Sequence, residues 1–116
     1  MTNEASPWPE ELRLKQGGSI LRIEFDSGDT FELAAEYLRT HSPSAEVKGH
    51  GPGQEVLVTG KQNVRIRDVE PVGNYAVRLI FDDGHATGLY TWPYLYKLGH
   101  EKDALWSLYL GKVAAR

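Results

Sequence analysis

Groups able to do chemistry are sparse in this chain and stand far apart. Its four histidines are His41, His50, His85 and His100, and none is followed two residues later by Asp or Glu. The first half of an iron-binding facial triad is therefore missing. There is no His-Glu-x-x-His helix, no Gly-x-Ser-x-Gly elbow, and no glycine loop followed by the lysine that grips a phosphate. Cysteine is absent, which removes disulfides, thiolate nucleophiles, thiolate zinc sites and cysteine-held clusters, and fits a reducing cytosol. These absences set the expectation of no catalytic constellation, although an unrecognised small-molecule enzyme stays open as an alternative.

Three groupings remain. His85 follows Asp82-Asp83-Gly84 in a turn, where imidazole and carboxylates, with His41 as a further donor, could hold a divalent ion such as zinc or iron. Asp and His in such turns also serve merely to satisfy backbone hydrogen bonds, and the expectation is that no metal is bound. The second grouping is the aromatic run from Tyr90 through Trp92 and Tyr94, a stacking platform when placed beside Arg78, Arg65 or Arg67, and a core element otherwise. The third is the arginine stripe of Arg22, Arg65, Arg67 and Arg78. Its forked guanidinium groups suit phosphate or carboxylate, with Glu24, Asp68 and Glu70 near enough in sequence to neutralise them. Gly49-His50-Gly51-Pro52-Gly53 lacks the flanking strand and helix of a phosphate loop and reads as a connector.

Short elements must position these residues. Leu12 and Leu14 alternate with Arg13 and Lys15 up to a Gly17-Gly18 turn, and Leu21, Ile23 and Phe25 alternate with Arg22 and Glu24. Asp26-Ser27-Gly28-Asp29 is a tight turn, the strand from Thr30 to Leu33 returns, and a short helix spans 34–39. A second such unit follows: a strand over 75–81, a turn at Asp82-Asp83-Gly84-His85, a return strand over 87–91 and a helix over 92–98. Arg22 falls on Arg78, Phe25 on Phe81, Asp26 on Asp82 and Gly28 on Gly84, which suggests a duplicated unit. Strands are also expected over 55–59 and 64–72, the latter with Val64, Ile66 and Val69 inward, and an amphipathic helix over 101–115 weakened at Gly111. The fold class is α+β, rich in β: antiparallel twisted sheets of about six strands built from two strand-turn-strand-helix units, with a C-terminal helix.

The length suits one domain, with residues 1–11 as a flexible arm anchored at Trp8 and 12–116 as the domain. A net charge of −3 gives no field to draw the protein onto nucleic acid or an anionic membrane. Neither a signal peptide nor an apolar run long enough to span a bilayer is found, so the protein is expected to be cytoplasmic.

The run from Val69-Glu70-Pro71-Val72-Gly73-Asn74-Tyr75 to Arg78, followed by Phe81-Asp82-Asp83-Gly84-His85 and Gly88-Leu89-Tyr90-Thr91-Trp92-Pro93-Tyr94-Leu95, resembles the gamma-butyrobetaine hydroxylase-like N-terminal domain family. So does the earlier pair Leu38-Arg39. In the hydroxylases, the resemblance implies, such a domain precedes an iron and 2-oxoglutarate oxygenase domain and holds a structural zinc through three cysteines and a histidine. Here the cysteine positions carry Ser42, Ser44 and Val47, with the histidine at His85, so the structural zinc is expected to be lost. Similar domains are fused to ATPases resembling iron–sulfur cluster carriers, which implies an accessory role in iron or iron–sulfur metabolism. The expectation is a non-catalytic, stand-alone adaptor of bacterial type that binds a protein partner through Arg78, Tyr90, Trp92, Tyr94, Arg65 and Arg67. Partner identity and oligomeric state are not legible.

Overall fold

Alternation of apolar and polar side chains makes each half of the chain fold into a three-stranded antiparallel sheet with one greasy face. The computed structural model describes residues 7–44 and 57–115. In the first half, β1 (Pro9–Lys15) pairs with β2 (Ile20–Phe25), which pairs with β3 (Thr30–Ala34). A 3₁₀ turn at Gln16–Gly18 links β1 to β2, and α1 (Ala35–Thr40) follows β3. In the second half, β4 (Ile66–Val72), β5 (Ala76–Phe81) and β6 (Leu89–Thr91) form the other sheet. Then come α2 (Trp92–His100), capped by the Thr91 hydroxyl accepting from the Tyr94 N–H at 3.3 Å, and α3 (Lys102–Ala115). The α+β class, the two repeated units and a C-terminal helix are as the sequence pattern leads one to expect, but that helix is not amphipathic as expected: Tyr109 is its one buried residue among those described, and Leu108 and Leu110 are exposed.

The repeat extends to single hydrogen bonds. Phe25 N–H donates to Asp29 O at 2.9 Å and Phe81 N–H to His85 O at 3.0 Å. Asp26 N–H donates to Trp8 O at 2.8 Å, and Asp82 N–H to Arg65 O at 2.9 Å. In return, Asp26 Oδ1 accepts from Trp8 N–H at 3.0 Å and Asp82 Oδ1 from Arg65 N–H at 3.1 Å. Gly28 and Gly84 close the two turns at φ of 93° and 92°, a conformation that any side chain would strain. Each half also carries a register shift at the start of its first strand, between Pro9 and Glu11 and between Ile66 and Asp68.

The apolar faces meet in one core. Leu21, Ile23, Phe25 and Leu33 of the first sheet and Val77, Leu79, Phe81 and Tyr90 of the second are all buried, with Leu38, Leu95 and Leu98 from α1 and α2 between them. Phe25 and Tyr96 meet edge to face with ring centroids 5.2 Å apart, and the Tyr96 hydroxyl leaves the core to reach Asp29 at 2.6 Å.

Several expectations need correction. Pro9, Glu10 and Glu11, assigned to the flexible arm, begin β1, because their backbone finds partners at Phe25 and Glu24. Leu57, Val58 and Thr59 form no strand, while residues 55 and 56 lie outside the described residues, as do the glycine-rich stretch at 49–53 and Val47. The return strand before α2 is shorter than the pattern implied, since Thr87 and Gly88 precede β6 without joining it. No described helix is long and apolar enough to cross a membrane.

Candidate functional site

The turn between β5 and β6 does not gather its polar groups around one point. Asp83 Oδ2 accepts from Arg39 Nε at 2.9 Å and from Lys61 Nζ at 2.7 Å, and its Oδ1 accepts the His85 backbone N–H at 3.1 Å. Desolvation alone would raise the Asp83 pKa, but the hydrogen bonds from Lys61, the His85 N–H and Arg39, with the Arg39 charge, outweigh it and hold it at about 2. Arg39 is largely buried, and its Nη1 has no hydrogen-bond partner among the described residues. Asp82 is committed to the Arg65 backbone.

His85 faces elsewhere. Its Nε2 lies 2.9 Å from Ser42 Oγ in a buried contact, and Ser42 Oγ also accepts the Ser44 N–H at 3.2 Å. Ser44 Oγ lies 2.7 Å from Thr87 Oγ1. The fold thus brings together three of the positions that the resemblance links to a zinc site, Ser42, Ser44 and His85, and they make a hydrogen-bonded cluster of hydroxyls and imidazole. Neutral hydroxyls are poor zinc donors beside thiolates. Gly88 backs onto this cluster so closely that a Cβ there would collide with Ser42 Oγ.

His41 is built into a different neighbourhood. Its ring lies tilted against Tyr37 with centroids 4.7 Å apart, and its Nδ1 lies 3.0 Å from Tyr37 O, which places the proton on Nδ1 because a carbonyl only accepts. Burial pushes its pKa down, against the upward pull of that backbone bond. Among the described residues no three His, Asp or Glu side chains stand close enough together to hold a metal ion. The set His85, Asp82, Asp83 and His41 is dispersed over separate contacts.

The expected partner surface divides as well. Tyr90 is fully buried, and its hydroxyl donates to Leu38 O at 2.6 Å, so it belongs to the core and not to a surface. Period-two alternation in β6 sends Tyr90 inward while Leu89 and Thr91 stay half-buried. Tyr94 is half-buried, with its hydroxyl donating to His41 O at 2.6 Å. Arg78 pairs with Glu70 across the β4–β5 ladder at 3.3 Å. Trp92 does reach the surface: its Nε1 donates to Asn74 O at 2.9 Å, and its ring lies 6.3 Å from Trp8.

Two clefts result. Pro7, Trp8, Tyr75, Thr91, Trp92 and Pro93 line an apolar one of about 360 Å³, in which Trp8 is 49% and Tyr75 51% exposed. Arg65 and Arg67 line another, beside Gly17 and Gly18. Tyr75 is a surface aromatic outside the expected partner surface, and its place beside the Gly73-Asn74 turn is the sequence signal of its exposure.

The sequence profile of the family described as gamma-butyrobetaine hydroxylase-like, N-terminal, matches residues 12–96. Two proteins solved in solution by NMR are similar in fold and sequence. One is 51% identical with a TM-score of 0.82, covering 99% of this chain and 86% of the other. The second is 46% identical with a TM-score of 0.81, covering 95% and 86%. A crystal structure from Acidithiobacillus ferrooxidans, described as a protein with unknown function of the DUF971 family, is 38% identical with a TM-score of 0.65, covering 78% and 91%. No curated protein matches the chain. On the profile match and these identities, the chain belongs to the gamma-butyrobetaine hydroxylase-like N-terminal family.

Proposed function

We propose that this domain is a non-catalytic binding module that docks a partner protein on its apolar aromatic cleft. The observation that supports it is the exposure of Trp8 and Tyr75 around Trp92, Pro7 and Pro93, a surface rich in rigid aromatic area with few polar groups of its own. Trp and Tyr in such places supply large contact area at small entropic cost and are enriched among residues that dominate binding energy. An extended, apolar or proline-bearing segment of the partner fits a groove of this lining. The family resemblance supplies the class of partner, a protein of iron or iron–sulfur metabolism, with any cluster carried by that partner because this chain has no cysteine. The protein works in the cytoplasm on this reading.

Affinity capture from native extract, with the captured proteins identified by mass spectrometry, tests the proposal. Trp8→Ala with Tyr75→Ala is expected to lose the captured partner by at least about tenfold, as removal of aromatic anchors does. Both side chains are half exposed, so the double variant keeps its fold. Equal recovery by the double variant and the parent protein overturns the reading. Capture of partners unrelated to iron chemistry leaves the docking site standing and removes the pathway.

A further inference from the structure

The duplicated halves place two clefts in equivalent positions. Trp8, just before β1, faces the β4–β5 turn at Tyr75, and Arg65, just before β4, faces the β1–β2 turn at Gly17 and Gly18. The matching bonds of Trp8 with Asp26 and of Arg65 with Asp82 fix this equivalence. One cleft is aromatic and the other is cationic.

The arginines of the second cleft differ from the other described arginines. Arg13 and Arg22 lie 2.6 and 3.3 Å from Glu11, Arg39 lies 2.9 Å from Asp83, and Arg78 lies 3.3 Å from Glu70. Arg65 and Arg67 have no carboxylate within ion-pair distance among the described residues. Arg65 Nη1 makes only long bonds to neutral carbonyls, 3.3 Å to Gln16 O and 3.4 Å to Gly17 O. The carboxylate lining the cleft, Asp82, is engaged by the Arg65 backbone, as its counterpart Asp26 is by Trp8. Two guanidinium groups therefore share one cleft of about 520 Å³ with a single carboxylate, in a chain whose net charge is −3. The forked donors suit an oxyanion.

We propose that this cleft binds the oxyanion head, phosphoryl or carboxylate, of a small ligand between Arg65 and Arg67, with the Gly17-Gly18 turn as its floor. The proposal goes beyond partner docking on the aromatic cleft and uses none of its residues. Because Gly18 backs onto Ile66 so closely that a Cβ would strike the Ile66 carbonyl, the floor is held at a fixed height against β4.

Amide chemical shifts of Gly17, Gly18 and Arg67 would be followed while the full chain is titrated with pyrophosphate and, separately, with citrate, both at constant ionic strength set by sodium chloride. The expected result is saturable shifts at these amides. Saturation by pyrophosphate alone assigns a phosphoryl ligand, by citrate alone a carboxylate ligand, and by both the shared oxyanion chemistry. Arg67→Gln, a change at an exposed side chain without a hydrogen bond among the described residues, is expected to weaken binding roughly tenfold or more. Arg65→Gln is expected to do the same. Linear shifts with both probes, or curves that Arg67→Gln leaves unchanged, overturn the proposal.

Discussion

Asp83 joins parts of the chain that the sequence keeps far apart. It gathers Arg39 from the end of α1, Lys61 from the segment before β4, and the backbone of its own turn, and of these Arg39 is only 12% exposed. Removing the charge leaves two largely buried cations without their counter-ion, so Asp83→Asn is expected to destabilise the fold by about 1–3 kcal/mol at neutral pH, the range for a buried polar group left without its partner. The sign with pH follows from the depressed pKa. An unfolded Asp titrates near 4 and the folded one at about 2, so the contribution is complete above about pH 4 and is lost as pH falls through about 2. Denaturant unfolding of parent and variant at pH 7, 4, 3 and 2 should show the gap closing across that lower window. A constant gap would mean that Asp83 acts through shape and not through charge. Ser42 and His85 make the complementary point: a buried hydroxyl and imidazole 2.9 Å apart pair with one another across 43 residues of sequence.

At the scale of elements, glycines separate two physical effects. Gly18 holds φ of 94° and sits against the Ile66 carbonyl, so Gly18→Ala meets both backbone strain and a collision between the sheets. A loss of about 2 kcal/mol or more is expected. Gly111 lies exposed within α3 with open space where a Cβ would stand, so Gly111→Ala should stabilise by roughly 0.5–1 kcal/mol through helix propensity. Thermal melts of both variants check the opposite signs, and a gain from Gly18→Ala would contradict the packing described. The contrast also marks what the sequence could disclose. Alternation around Leu21, Ile23 and Phe25 revealed β2 and its buried face, and the Asp-x-Gly turns revealed the repeat, because those signals are local. β6 is only three residues long and offers too little alternation in the sequence to disclose that Tyr90 faces the core. The ion pair of Arg39 with Asp83, and the placing of Trp8 beside Trp92, depend on how the two halves dock, and no local pattern encodes that.

Across the whole molecule, duplication could have left two independent units, yet the contacts argue for one. Each sheet has one apolar face, and among the described residues the two faces share one core with the helices between them. The bond of Tyr37 in α1 to Leu98 O in α2 and that of Tyr90 in β6 to Leu38 O in α1, each 2.6 Å, cross between the halves in both directions. Burial is the main reason both phenols have pKa values raised well above the usual range for tyrosine. For such groups, stability is fully present below the unfolded pKa near 10 and is lost as pH rises above it toward the folded values. Alkaline titration should therefore show Tyr37 and Tyr90 ionising only as the protein unfolds, in one transition seen alike by the ring-carbon NMR shifts of these two tyrosines, far-ultraviolet circular dichroism and tryptophan fluorescence. The tryptophans sample separate regions, Trp8 and Trp92 at the aromatic cleft and Trp106 in α3, so coincidence of the three signals would join the parts into one cooperative unit. Tyr90→Phe, which leaves the buried Leu38 carbonyl without its donor, is expected to lower the denaturation midpoint at pH 7, with a cost of about 1–3 kcal/mol, while keeping the transition single. Separate transitions for the two halves would instead show that each sheet holds its own core, and that the crossed tyrosine bonds only align them.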